Sequence, residues 1–168
     1  MAEARYRGEV VKLDRGYPLV RLEDGELLRC EHATALVKGE RRRAVIGDVV
    51  EVAVPPAHDK GVIEAIAPRT REFVRKDPTE RAVPQVLAAN FERVIVAQPV
   101  GEVNLRRLER ELVLAFETGA EVTVVLTKAD LADDAATRAT VEAVRALAAP
   151  AADVRVVSED DPASGEAV

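Results

Sequence analysis

The first seventy residues alternate between apolar and polar positions in short runs, the period of half-buried strands. Runs at 5–13 and 17–22 flank the tight turn Asp14-Arg15-Gly16, and 26–31 follows Glu23-Asp24-Gly25, where Asp-Gly signals a hairpin. A long polar connection then leads to Gly47-Asp48 and a strand over 49–54, in which Val50, Val52 and Val54 mark one buried face. Pro55-Pro56 ends that strand, and 61–67 is the fifth. Five short strands with the long connection after the third predict a small closed barrel of the OB type over residues 1–72. Pro68, Pro78 and Pro84 punctuate a charged stretch without sustained period, so 73–90 is expected to be an extended linker.

From Phe91 the pattern changes. Val94-Ile95-Val96-Ala97 is a continuous apolar run suited to a strand covered on both faces. Asn104 has the chemistry of a helix N-cap, because Leu105, Leu108, Leu112 and Phe116 follow at helical spacing, and Gly119 suits the stop. A strand over 122–126, a helix over 133–148 and a strand over 154–157 complete the alternation. Strand–helix–strand–helix–strand with short links predicts a parallel α/β unit over 91–168.

Composition narrows the chemistry. Nearly half the residues are apolar and only 3% are aromatic, so the cores must be built from Val, Leu, Ile and Ala. The single Cys30 excludes an intramolecular disulfide and reads as a small strand residue; no Cys/His cluster has zinc-site spacing. No apolar run approaches the ~18 residues of a membrane-spanning helix, and the charged N-terminus is no signal peptide; a soluble, cytoplasmic protein without membrane contact is expected. The net charge of −6 arises in the second half: residues 83–168 carry −7 and residues 1–82 carry +1. In the first half, Lys38, Arg41, Arg42 and Arg43 concentrate positive charge in the long connection and are candidate RNA contacts, a solvated loop being the alternative. Tyr6 and Tyr17 are expected to pack in the barrel, and His32 and His58 to be solvated.

The strand over 122–126 runs straight into Thr127-Lys128-Ala129-Asp130. Ligands in open α/β sheets bind just beyond the carboxyl ends of strands, which places this tetrapeptide at a binding position. It resembles the guanine-specificity motif of GTPases, Asn-Lys-x-Asp. Guanine offers adjacent N1–H and N2–H₂ donors that an ionised Asp130 accepts as a pair, while adenine leaves the carboxylate unsatisfied. The stem of Lys128 can lie along the base, and Thr127, in place of Asn, retains only a hydroxyl. About thirty residues on, Val156-Val157-Ser158 closes the next strand, where GTPases carry a Ser-Ala-type loop that meets guanine through backbone N–H groups; Ser158 is the corresponding candidate.

The order of these parts carries a wider resemblance. A base motif that comes first, behind an OB-like barrel, resembles the ribosome-small-subunit-dependent GTPase A family, circularly permuted GTPases with an N-terminal OB domain. Leu22-Glu23-Asp24-Gly25-Glu26, Ile46-Gly47-Asp48-Val49-Val50, the segment 68–75, Gln85-Val86-Leu87-Ala88-Ala89-Asn90, the segment 104–110 and the segment 124–131 all resemble that family. The resemblance implies a partial GTPase domain over 91–168, and a role in late maturation of the small ribosomal subunit with the subunit and its rRNA as partners. GTP or GDP would be the ligand. Magnesium and zinc are implied for the full-length family, but this chain has no ligands for them. The phosphate-binding loop and switch segments expected after Ser158 have no counterpart here, so no catalytic residue is assigned and hydrolysis is expected only of a longer protein. The missing phosphate-loop strand would lie beside 94–97, whose exposed apolar edge is then a surface for self-association. Two alternatives stay open: a non-catalytic OB-fold module that binds RNA or the ribosome and keeps a degenerate GTPase remnant, and an unrelated α/β enzyme using Asp130 as an acid or base.

Overall fold

Local turn chemistry sets the first hairpin: Arg15 and Gly16 both adopt positive φ, 49° and 88°, and so join β1 (Ala4–Asp14) to β2 (Tyr17–Leu22). A computed structural model describes residues 4–39, 42–56, 58–75, 85–161 and 163–166. The chain divides into two compact units, Met1–Phe91 and Glu92–Val168.

In the first unit β3 (Leu27–His32), β4 (Val49–Val54) and β5 (Gly61–Ile66) complete a closed barrel in the order β1-β2-β3-β5-β4. Only the β3–β5 pairing is parallel. β1 is long enough to pair with both β2 and β4, and its register shifts between Val10 and Lys12, the bulge that lets one strand bend around a small barrel. Alternate side chains, among them Val10, Val20, Cys30, Val50, Val52 and Ile63, fill the interior, and Leu36 joins them from the helical turn Ala35–Gly39. Burial pushes the Cys30 thiol up to about 11, so this side chain fills space and is not a nucleophile.

Within 73–90, expected to be an extended linker, the described residues 73–75 and 85–89 form strands. Glu72–Arg75 (β6) and Gln85–Ala89 (β7) pair antiparallel, and Ala88 bridges to Ile46 beside the barrel. Pro78 and Pro84 lie outside the described residues. What fastens this hairpin is polar. Asp48, fully buried, accepts the Val45 N–H at 2.8 Å and takes Arg69 through both carboxylate oxygens, Nε to Oδ1 at 2.7 Å and a terminal nitrogen to Oδ2 at 2.8 Å. Arg69 also reaches Glu72 at 2.9 Å and the Arg43 carbonyl at 3.3 Å. Asn90, at φ 57°, accepts the Thr70 N–H at 2.8 Å and donates to the Gly47 carbonyl at 2.9 Å. Gly47 has φ +87°, and a Cβ there would lie 1.9 Å from the Ala89 carbonyl oxygen, so only glycine fits.

His32, expected to be solvated, is half-buried, and its Nε2 accepts the Ala44 N–H at 2.9 Å, a role open only to the neutral ring. Burial, reinforced by the Arg43 charge, holds its pKa below the ordinary value.

The second unit is the parallel α/β unit read from the sequence. β8 (Arg93–Pro99), β9 (Glu121–Thr127) and β10 (Asp153–Val156) form a parallel sheet in the order β10-β9-β8, with α1 (Leu105–Phe116) and α2 (Asp134–Ala148) as crossovers. Asn104 caps α1 by accepting the Arg107 N–H at 3.1 Å. Asp133, expected inside α2, is its N-cap and accepts the Ala136 N–H at 2.8 Å. Val122, Thr123, Val124, Val125 and Leu126 are all buried, as a central parallel strand requires. Leu108, Leu112, Val144 and Ala148 close the core over β9. β8 and β10 are the edge strands among the described residues, and Ile95 of β8 is exposed. No helix among the described residues is long and apolar enough to cross a membrane.

Removing Arg69 leaves the buried Asp48 carboxylate without a countercharge, and removing Asp48 leaves Arg69 with only the more exposed Glu72. Arg69→Ala and Asp48→Ala are each expected to destabilise the chain by about 3–5 kcal/mol in denaturant unfolding, and Arg69→Lys to recover little, because it cannot make the two-pronged contact. The depressed His32 pKa has a defined sign: its contribution is fully present above the unfolded-state value of about 6.5 and is lost as pH falls from there toward the folded value. The Tm of the unsubstituted chain should therefore decline more between pH 7.5 and 5 than that of His32→Gln, which keeps an acceptor without titrating; parallel pH profiles would contradict this.

Candidate functional site

Parallel register brings two loops together. Val156 of β10 lies beside Leu126 of β9, and the ladder continues as the Val157 N–H donates to the Leu126 carbonyl at 2.9 Å. The chain leaving β9 and the chain leaving β10 therefore emerge side by side at the carboxyl end of the sheet. Thr127 is the half-buried last residue of β9. Lys128 is exposed and takes the left-handed conformation, φ 57° and ψ 39°, before the 3₁₀ turn Ala129–Leu131. A non-glycine residue in this region is a local cost that the surrounding structure must impose.

That turn presents Asp130. Its Oδ1 accepts the Ser158 hydroxyl at 3.4 Å and the Glu159 N–H at 3.2 Å. The four residues singled out in the sequence for base recognition, Thr127, Lys128, Asp130 and Ser158, thus share one end of the sheet. The carboxylate of Asp130 is exposed and anchored from one side by the second loop. Such a group can accept two donors from a planar ligand while keeping its orientation. Among the described residues no group of three or more His, Cys, Asp or Glu side chains is placed to hold a metal ion, and no chemistry through magnesium or zinc is assigned to them.

The basic candidates belong to the first unit. Lys38, one residue before the end of the helical turn Ala35–Gly39, is exposed, Arg43 is exposed, and Arg42 is half-buried; Arg41 lies outside the described residues. Arg42 and Arg43 line a surface cleft of about 360 Å³ together with Leu13, Arg69, Val86 and Leu87. The ion pair at Asp48 fixes the backbone here, since Arg69 holds the Arg43 carbonyl and Asp48 holds the Val45 N–H.

Sequence reasoning missed two surface aromatics. Tyr6 and Tyr17, expected inside the barrel, are 42% and 38% exposed. Lys60, in the β4–β5 loop, sits over the Tyr17 ring with Nζ 4.8 Å from its centroid and bonds Glu31 at 3.0 Å. The start of β2 and the β4–β5 loop are thereby joined, next to the loops through which OB folds bind oligonucleotides. Inward Pro18, Val20 and Leu22 were the available signal, because alternation turns Tyr17 outward.

Known proteins place the chain. The family model for the RsgA GTPase matches residues 66–166. The small ribosomal subunit biogenesis GTPases RsgA of Streptomyces avermitilis and Streptomyces coelicolor are 38% and 39% identical to it over 160 residues, covering 95% of this chain and 42% and 43% of their own lengths. The crystal structure of YjeQ from Thermotoga maritima superimposes with a TM-score of 0.69 at 25% identity, over 92% of this chain and 52% of that one. YloQ, a circularly permuted GTPase, superimposes with a TM-score of 0.68 at 20% identity over 98% of this chain and 55% of that one, a likeness of fold. The chain spans about two fifths of the length of the curated relatives it matches. A five-stranded barrel followed by a parallel sheet with helices is common to it and to these two structures. The chain belongs to the RsgA GTPase family.

Proposed function

We propose that this chain supplies the guanine-reading part of a GTPase of small-subunit biogenesis, together with a barrel that contacts ribosomal RNA. The observation that carries the reading is the position of Asp130 at the end of β9, anchored by Ser158 and Glu159 from the end of β10. A carboxylate held in this way matches the N1–H and N2–H₂ donors of guanine, whereas adenine gives it no such pair. The stem of exposed Lys128 covers a base face, and Thr127 contributes a hydroxyl at the strand end. Affinity that rests on base contacts alone is expected to be weak. Phosphate binding, hydrolysis and action on the small subunit are proposed only for a protein of the relatives' full length.

For the barrel, Lys38, Arg42 and Arg43 form the electrostatic footprint for an RNA backbone. Tyr17, with Lys60 over its ring, adds a stacking surface of the kind single strands use. The acidic second unit contributes none of this charge.

Titration of the chain with GDP and ADP, followed by amide NMR shifts, tests the base site. GDP should perturb 127–131 and 158–159 while ADP does not, and Asp130→Ala should cost roughly tenfold or more of the GDP response. Equal responses to both nucleotides, or a GDP response indifferent to Asp130, would sink the reading. For the barrel, the combined substitution Lys38→Ala, Arg42→Ala, Arg43→Ala is expected to weaken binding to small-subunit rRNA. It should also flatten the salt dependence, by a slope of about 0.7–0.9 for each phosphate no longer neutralised. An unchanged slope would remove these residues from the interface.

A further inference from the structure

The loop that anchors Asp130 is itself held by a residue outside the base motif. Ser158 and Asp161 bridge each other across a short reversal, and the chain then enters α3 (Ala163–Glu166). From α3 the half-buried Ser164 turns back: its Oγ accepts the Ser158 N–H at 3.1 Å and donates to the Asp161 carbonyl. Its own N–H donates to the same carbonyl at 3.0 Å. Inside the reversal the Ser158 Oγ accepts the Asp160 N–H at 3.2 Å and donates to Asp130. The Ser158 amide is thus engaged behind the loop, and the Glu159 amide is the one aimed at the Asp130 carboxylate.

This arrangement matters for a purine with a carbonyl beside its ring N–H. When a carboxylate takes N1–H and N2–H₂ of guanine, O6 lies next to it and needs a donor. The Glu159 N–H, already within hydrogen-bond distance of Asp130 Oδ1, is a backbone donor on the facing loop. Its direction depends on the peptide planes on either side of Ser158, and Ser164 fixes the first of these. We infer that Ser164 is a positioning residue for guanine recognition: it touches no base, but it clamps the loop so that Glu159 N–H and Asp130 act as one donor–acceptor edge. The inference rests on the base-site reading above and names what orients that site.

The test is Ser164→Ala with Ser164→Thr as the hydroxyl-retaining control, read by amide hydrogen exchange at Ser158 and Glu159 and by titration with GMP and AMP. Ser164→Ala should speed exchange at Ser158 about tenfold and weaken GMP binding roughly five- to tenfold, with AMP unaffected, and Ser164→Thr should restore both. Unchanged exchange at Ser158 overturns the clamp. Faster exchange with unchanged GMP affinity overturns the positioning role while leaving the base site standing. A chain that shows no GMP-specific response before substitution overturns the base-site reading, and the positioning role falls with it.

Discussion

A carboxylate and a guanidinium withdrawn from water, Asp48 and Arg69, set the geometry on which the first unit depends. Burying such a pair brings little net stability, because desolvation offsets most of the attraction. What it brings is direction. Asp48 stands at the entry to β4 and Arg69 beyond the end of β5, so their contact fixes how the chain leaves the barrel. The remaining donors of Arg69 reach Glu72 at the start of β6 and the carbonyl of Arg43 in the basic connection. One ion pair therefore sets both the hairpin beside the barrel and the backbone that carries the arginines.

In the second unit the governing constraint is register. Parallel strands carry their loops to the same end of the sheet, so two segments nearly thirty residues apart meet without a dedicated connection. The left-handed turn at Lys128 breaks the strand direction at once and allows Asp130 to face the Ser158 loop. Backbone strain is concentrated at the carboxyl end of β9, while the buried stretch behind it is regular.

The features legible in the sequence were those decided by neighbours in the chain. Strand alternation, the Asp-Gly turn and the Asn104 cap specify themselves over a few residues, and the barrel strands fall within a residue or two of expectation. The Asp130 and Ser158 candidates were legible because they follow apolar strands, and the structure puts them in contact. The β6–β7 hairpin was not. Its strands are short, its Phe73 and Val74 are only half-buried, and its fastening is polar and comes from Asp48 and Asn90, whose partners lie 20 or more residues away. The His32 contact to Ala44 and the return of Ser164 onto Ser158 depend likewise on chain reversals that leave no periodic trace.

The fit of Gly47 against the Ala89 carbonyl, with Asn90 bonded across the same seam, has a bearing on modularity. The natural joint of the molecule does not fall where the barrel closes. It falls after the hairpin, so the smallest piece that inherits its own fastenings runs through Phe91. A barrel severed at residue 72 would carry Asp48 and Arg69 but lose the strand that bonds Ile46 and the asparagine that bonds Gly47 and Thr70. Any recombination or transplant of this module has to take the hairpin with it.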